Sequence, residues 1–135
     1  MKIFDNRNFG VLEKSLDGLA KNHQAISNNI SNADTPGYKR KYVSFRKELS
    51  DLLENRNDLK VTNKKHIAIN SKDISSFKAR VHTEENTSVR NDDNNVDIDA
   101  EMAMLARNTL EYQAVVKQIS NQFKRLDSVI QKGGR

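Results

Sequence analysis

The residues of this chain best equipped for chemistry are three histidines, His23, His66 and His82, and an acidic run, Asp92-Asp93-Asn94-Asn95-Val96-Asp97-Ile98-Asp99. Counted from Asp93, side-chain oxygens recur at positions 93, 95, 97 and 99, the alternation of a calcium-binding loop. Such a loop needs glycine at its sixth position and glutamate at its twelfth. Here those positions hold Ile98 and Met104. A loop leading into a helix accounts for the same acids, because carboxylates oppose the positive end of the helix macrodipole. The histidines are isolated, with no partner at i,i+4 and no HExxH. His23 falls on the apolar stripe of a helix, where a partly buried structural role suffices. There is no cysteine, so disulfides, thiolate metal sites and cysteine nucleophiles are excluded together. GxSxG, P-loop and GxGxxG patterns are missing, and five glycines are too few for a phosphate cradle. The reading is therefore of a protein that is not an enzyme and has no metal site or cofactor.

The elements that position these residues are two helices. Phe9, Leu12, Leu16, Leu19, His23, Ile26, Ile30 and Ala33 alternate at spacings of three and four. So do Ile98, Met102, Leu105, Thr109, Tyr112, Val116, Ile119, Phe123, Leu126 and Ile130. An average of about 3.5 residues is the coiled-coil period, which keeps one stripe turned to a partner helix. The seams predict helices roughly 36 Å and roughly 48 Å long. Asp97, Asp99 and Glu101 open the second helix, with Asp97 or Asn95 as N-cap. Lys124, Arg125 and Lys132 lie near its end, before Gly133-Gly134. The first helix is closed by Asp34-Thr35-Pro36-Gly37, since proline removes a donor and restricts the residue before it.

The chain divides into an N-terminal helix and turn (1–37), a polar middle (38–90) and an acidic loop with the C-terminal helix (91–135). In the middle, Ser44 is expected to cap a short helix with Phe45, Leu49 and Leu52 on one face. Val61, Ile67 and Ile69, then Phe77, Ala79 and Val81, suggest short strands. Residues 83–95 read as loop. The fold class is mainly α, with long terminal helices forming a coiled-coil core around a short irregular or small-β middle.

Of the 135 residues, 36% are hydrophobic and 30% charged. That leaves little burial to offset an ordering cost of roughly 1–2 kcal/mol per residue. Two single-stripe helices bury only one side of each other, so neighbouring copies or relatives are the natural source of further cover. The net charge of +5 is spread over the middle and the C-terminal helix rather than gathered into one patch, which favours solvated faces over a nucleic-acid groove. No stretch approaches the roughly 20 apolar residues of a membrane span. The N-terminus, Met1-Lys2-Ile3-Phe4-Asp5-Asn6, lacks the apolar core of a cleaved secretory signal.

The segment Asn28-Asn29-Ile30-Ser31-Asn32-Ala33-Asp34-Thr35-Pro36-Gly37-Tyr38 holds more asparagine than helix termination requires. It closely resembles the N-terminal signature of the flagellar axial proteins, the rod, hook and hook-associated subunits. Three further features are similar to the proximal-rod branch of that family: Thr62 followed by His66-Ile67, the run from Asp92 to Met102, and Leu110-Glu111-Tyr112-Gln113. Asp93 stands where that branch usually has glycine, which bears on the turn there. The resemblance covers nearly the whole chain.

It implies a structural subunit of the proximal rod of the bacterial flagellar basal body, assembling through its terminal helices. Asn28, Asn29, Ile30, Asn32, Thr35, Gly37 and Tyr38 become candidate assembly residues. Leu12, Leu16, Leu19, Ile26, Leu105, Tyr112, Val116, Ile119, Phe123 and Leu126 become the helix seam. The implied partners are other rod proteins, the membrane-ring and rod-adaptor proteins, further copies in the assembly, and the flagellar type III export apparatus. Export would occur without a cleaved signal, into a rod that crosses the periplasm, with terminal helices that order on assembly. A basic helical nucleic-acid-binding protein and a cytoplasmic export chaperone for axial proteins are the alternatives.

Overall fold

The computed structural model describes residues 7–54, 74, 77–85 and 92–133. Their elements are α1 (Arg7–Ser31), β1 (Lys41–Ser44), α2 (Arg46–Glu54), β2 (Arg80–Thr83) and α3 (Ile98–Gly133). The helices α1 and α3, of 25 and 36 residues, run antiparallel. Asn29 meets Glu101, Asn22 meets Asn108, and the rings of Phe9 and Phe123 lie 5.3 Å apart. Asp97 is the N-cap of α3, its Oδ1 accepting from the backbone N–H of Asp99 and Ala100 at 3.0 and 3.2 Å.

Against α1, beside its contact with α3, sits a small wedge. β1 pairs antiparallel with β2, from Lys41 opposite Thr83 to Ser44 opposite Arg80. Val43 and Phe45 reach inward to Leu19, Ala25, Leu49, Phe77 and Ala79, and Val11 and Val115 close the cluster. Phe45 lies against α1 at Gly18, where a β-carbon would stand 2.4 Å from the ring. A glycine in mid-helix costs about 0.5–1 kcal/mol in propensity, and here it makes room for that ring.

The wedge changes which faces are buried. α1 packs against both α3 and the wedge, so Gly18, Ala25 and Asn29 are buried beside the seam residues Leu19, Ile26 and Ala33. The rest of the expected α1 seam lies at the edge: Phe9, Leu12, Leu16 and Ile30 are half-buried and His23 is exposed. On α3, Glu101 and Asn108 are buried and Val115 packs on the core, while Leu105, Ile119 and Leu126 are half-buried. Met102, Tyr112, Val116, Phe123 and Ile130 are exposed. Each heptad stripe is therefore split, with one set of positions facing the partner helix and the other facing water.

The middle departs from expectation in three places. Lys41–Ser44 is a strand, and Ser44 ends it rather than starting a helix, its Oγ donating to Glu48 Oε1 at 2.6 Å. Phe77 and Ala79 are buried but Val81 is exposed. As the cross-strand partner of Val43 it lies on the same face of the sheet, but beyond the cover of the core. The expected strand at Val61, Ile67 and Ile69, the Thr62 and His66-Ile67 motif, and the side chain of Leu52 lie outside the described residues.

Candidate assembly site

Where α1 ends, its last carbonyls have no intrahelical partners, and no basic side chain occupies the last turn. Asn94 fills that need from 60 residues away. Its Nδ2 lies 3.0, 2.9 and 2.9 Å from the carbonyls of Asn32, Ala33 and Thr35, and its Oδ1 accepts from Val96 N at 2.8 Å. Two further contacts hold the facing loops together: Gly37 N donates to Asp92 O, and Lys39 Nζ donates to Asp93 O. Gly37 takes φ +72° and Asp93 takes φ +61°. The left-handed turn thus forms at Asp93 without glycine, as aspartate tolerates this region better than most residues.

Asn29 is fully buried and all four of its hydrogen-bonding positions are used. Nδ2 donates to Lys41 O at 2.7 Å and to Glu101 Oε2 at 3.1 Å. Oδ1 accepts from Lys41 N at 2.8 Å and from Tyr38 Oη at 3.2 Å. The side-chain amide therefore meets β1 at Lys41 as a neighbouring strand would. Asn95 closes the end of the sheet across both strands, accepting from Arg40 N before β1 and donating to Glu84 O after β2 at 2.6 and 2.9 Å.

At the centre lies Glu101, fully buried at the start of α3. Arg40 Nε donates to its Oε1 at 2.5 Å, and Arg40 also pairs with Glu84. Burial works against the charge on Arg40, but hydrogen bonds and attraction from Glu101 and Glu84 hold its guanidinium above its ordinary value. Burial first, and then the charge on Glu101, push the Tyr38 phenol up. The buried carboxylate is thus paired and hydrogen-bonded, as a stable one must be. Two helix turns further on, Asn108 repeats the pattern, bonding Asn22 and the carbonyl of Leu19.

The candidate motif therefore divides. Asn29 is internal, Ile30 and Tyr38 are half-buried, and Asn32 is half-buried with its Nδ2 on the Asn28 carbonyl at 2.7 Å. Asn28, Thr35 and Gly37 are exposed. Arg40, Asn94, Asn95 and Glu101 were not singled out as site residues, because long-range side-chain bonds leave no periodic trace. Glu101 appeared only as a helix-opening acid. The arrangement binds two ends of one chain through polar groups and has no reactive centre among the described residues.

A polar clamp between two terminal helices, with apolar positions left facing water, is the arrangement of a structural assembly subunit. The family model described as flagella basal body rod protein matches residues 19–39, the second half of α1 and the turn after it, which form the N-terminal side of this clamp. The flagellar basal body rod protein FlgB of Bacillus subtilis is 36% identical over 122 residues, covering 90% of this chain and 92% of the relative. FlgB of Borreliella burgdorferi is 32% identical over 132 residues, covering 92% and 96%. FlgB of Escherichia coli is 29% identical over 127 residues, covering 90% and 91%. The chain belongs to the FlgB family of flagellar basal body rod proteins.

Proposed function

We propose that this chain is a structural subunit of the proximal rod, joined to neighbouring subunits through the outward halves of its two heptad stripes. One observation carries the reading. Large apolar side chains at heptad spacing on α3, Met102, Val116, Phe123 and Ile130, stay between 43% and 67% exposed in the single chain. Water is a poor partner for such a stripe, and a neighbouring helix is a good one.

Within this reading, the buried amides of Asn29 and Asn94 shape the clamp, and the exposed Asn28, Thr35 and Gly37 form the surface offered to neighbours. The seam residues divide in the same way, with Leu12, Leu19 and Ile26 holding the chain's own helices together. Tyr112 and Val116 reach outward, and Phe123 meets Phe9 with one side while half its surface stays exposed. Partners are other rod proteins and, at the base, the membrane-ring and adaptor proteins. Delivery is through the flagellar export apparatus without a cleaved signal.

The test is electron microscopy of basal bodies from a strain lacking this gene, beside the complemented strain. Membrane rings without rod or hook, restored by complementation, are expected. Intact rods and hooks in the deletion strain would overturn the reading.

A further inference from the structure

Two different seams of α3 could face α1. Glu101, Asn108, Val115 and Gln122 lie along one heptad line, and Met102, Thr109, Val116, Phe123 and Ile130 along the next. Both seams share Leu105, Ile119 and Leu126, and a turn of α3 by about 50° exchanges them. The second line is the more apolar, so burial alone favours turning it inward. The structure does the reverse. Glu101 and Asn108 are buried, Met102, Val116 and Ile130 stay exposed, and Phe123 meets Phe9 with one side only.

A matching line on α1 holds the polar line inward. Asn29 and Asn22 are seven residues apart, as are Glu101 and Asn108, so the two helices meet rung by rung. The Glu101 rung also belongs to the clamp, through Arg40. The Asn108 rung reaches α1 alone: Nδ2 donates to the Leu19 carbonyl at 3.1 Å, and Oδ1 accepts from Asn22 Nδ2 at 2.9 Å. The same step along each helix leads to Ser15 and Val115, where no amide is needed. The Ser15 hydroxyl donates to the Val11 carbonyl of its own helix, and Val115 packs on the core. A buried polar pair fixes how two helices meet, at some cost in stability. We propose that the Asn22–Asn108 pair is a rotational lock, which holds α3 with its more apolar line outward and available to neighbouring subunits. The inference deepens the assembly reading above and rests on it. Without Asn22, Asn108 would be buried with its side-chain oxygen unpaired, a costly state. A small turn of α3 carries that amide to water and buries Met102 and Val116 instead, so the helix would cover its own docking stripe.

The chain has no cysteine, so Val115→Cys and Val116→Cys, made singly, report on the two lines by their rates of reaction with a maleimide. Val115 is half-buried and Val116 exposed, and labelling of the full-length chain is followed by mass spectrometry. In the otherwise unaltered chain, the thiol at position 116 should react several-fold faster than the thiol at 115. Adding Asn22→Leu should reverse that order, slowing 116 and speeding 115. Adding Asn108→Leu as well should restore it, since leucine there needs no partner and makes the inner line apolar. Equal rates in the unaltered chain, an order that Asn22→Leu leaves unchanged, faster reaction at both positions, or no restoration would each overturn the lock. The rates are read on the chain in solution, so any of these results leaves the rod assignment standing. Rods built without the gene would instead overturn the assignment and leave the rates as they are.

Discussion

Replacing Asn29 with alanine removes four hydrogen bonds and leaves all their partners behind. One of the partners recovers, since the Tyr38 hydroxyl is on a half-buried side chain and turns to water. Glu101 keeps Arg40 on Oε1 at 2.5 Å, but its buried Oε2 loses the Asn29 donor. The N–H and C=O of Lys41 are bound to Asn29 at 2.8 and 2.7 Å and lose that partner at the edge of a half-buried strand. Each unsatisfied buried group costs about 1–3 kcal/mol, so the substitution should destabilise the fold by about 2–5 kcal/mol. Domains of this size carry about 5–15 kcal/mol in total, and a core this thin lies toward the lower end. Asn28 provides the control, being next in sequence, identical in type and exposed. Asn28→Ala should stay within about 0.5 kcal/mol of the parent. Urea unfolding followed by circular dichroism at fixed protein concentration separates the two, provided the m-values agree. Asn29→Asp should fall below Asn29→Ala, because it sets a second carboxylate beside Glu101 and loses the donor to Lys41. Equal stabilities for the Asn28 and Asn29 alanine variants, or a loss below about 1 kcal/mol at Asn29, would refute the role given to the buried amide.

Gly18→Ala gains about 1 kcal/mol of helix propensity but drives a β-carbon into the Phe45 ring. A net loss of about 1–3 kcal/mol is expected in the same unfolding assay, with partial recovery when Phe45→Leu is added. Asp93→Gly should raise stability by about 0.5–1 kcal/mol, since glycine adopts the left-handed backbone without strain, and thermal melting checks this. At Glu111, burial acts to raise the carboxyl pKa, but hydrogen bonds from Arg46 and Arg107 outweigh it and hold the group below its ordinary 4.5. A depressed carboxylate contributes stability that is full above pH 4.5 and lost as pH falls through the folded-state value. Glu111→Gln should therefore flatten the acid limb of the stability–pH curve by no more than about 1 kcal/mol, the pair being largely exposed. Val116→Asp, on the outward stripe and 43% exposed, should leave unfolding within about 0.5 kcal/mol of the parent, yet block incorporation into rods; swimming at the parental rate would contradict the outward stripe.

The parts of this fold legible in the sequence are those set by local chemistry. The two helices follow from apolar period, the break after Ala33 from Pro36 and Gly37, and the start of α3 from Asp97. What the period could not supply was how many partners each helix has. A 3-4 alternation fits one neighbour, but α1 has two, and its second face is built from Gly18, Ala25 and Asn29, which no apolar scale selects. The strand β1 was missed because four residues carry too little alternation to stand out. The asparagine signature was visible as a motif, though its mechanics were not. Asn28 and Asn29 look alike in sequence and differ in the structure by which one points at Lys41. Asn94, Asn95 and Glu101 read as loop and helix-opening residues because their partners lie 11 to 72 residues away, beyond any local pattern.

The separation of those partners has a kinetic side. Asn29 closes on Glu101 across 72 residues and Asn108 on Leu19 across 89, so α1 gains these bonds only after most of the chain has been delivered. Contacts of such high order make folding slow, because loop entropy is lost before the contacts that repay it can form. Packing of α1 on β1 and α2, through Asn29 with Lys41 and Gly18 with Phe45, needs only the first half of the chain, while the bonds that lock α1 to α3 wait for the last third. The N-terminal helix can thus hold a partial fold early and still change partners until its C-terminal counterpart closes on it.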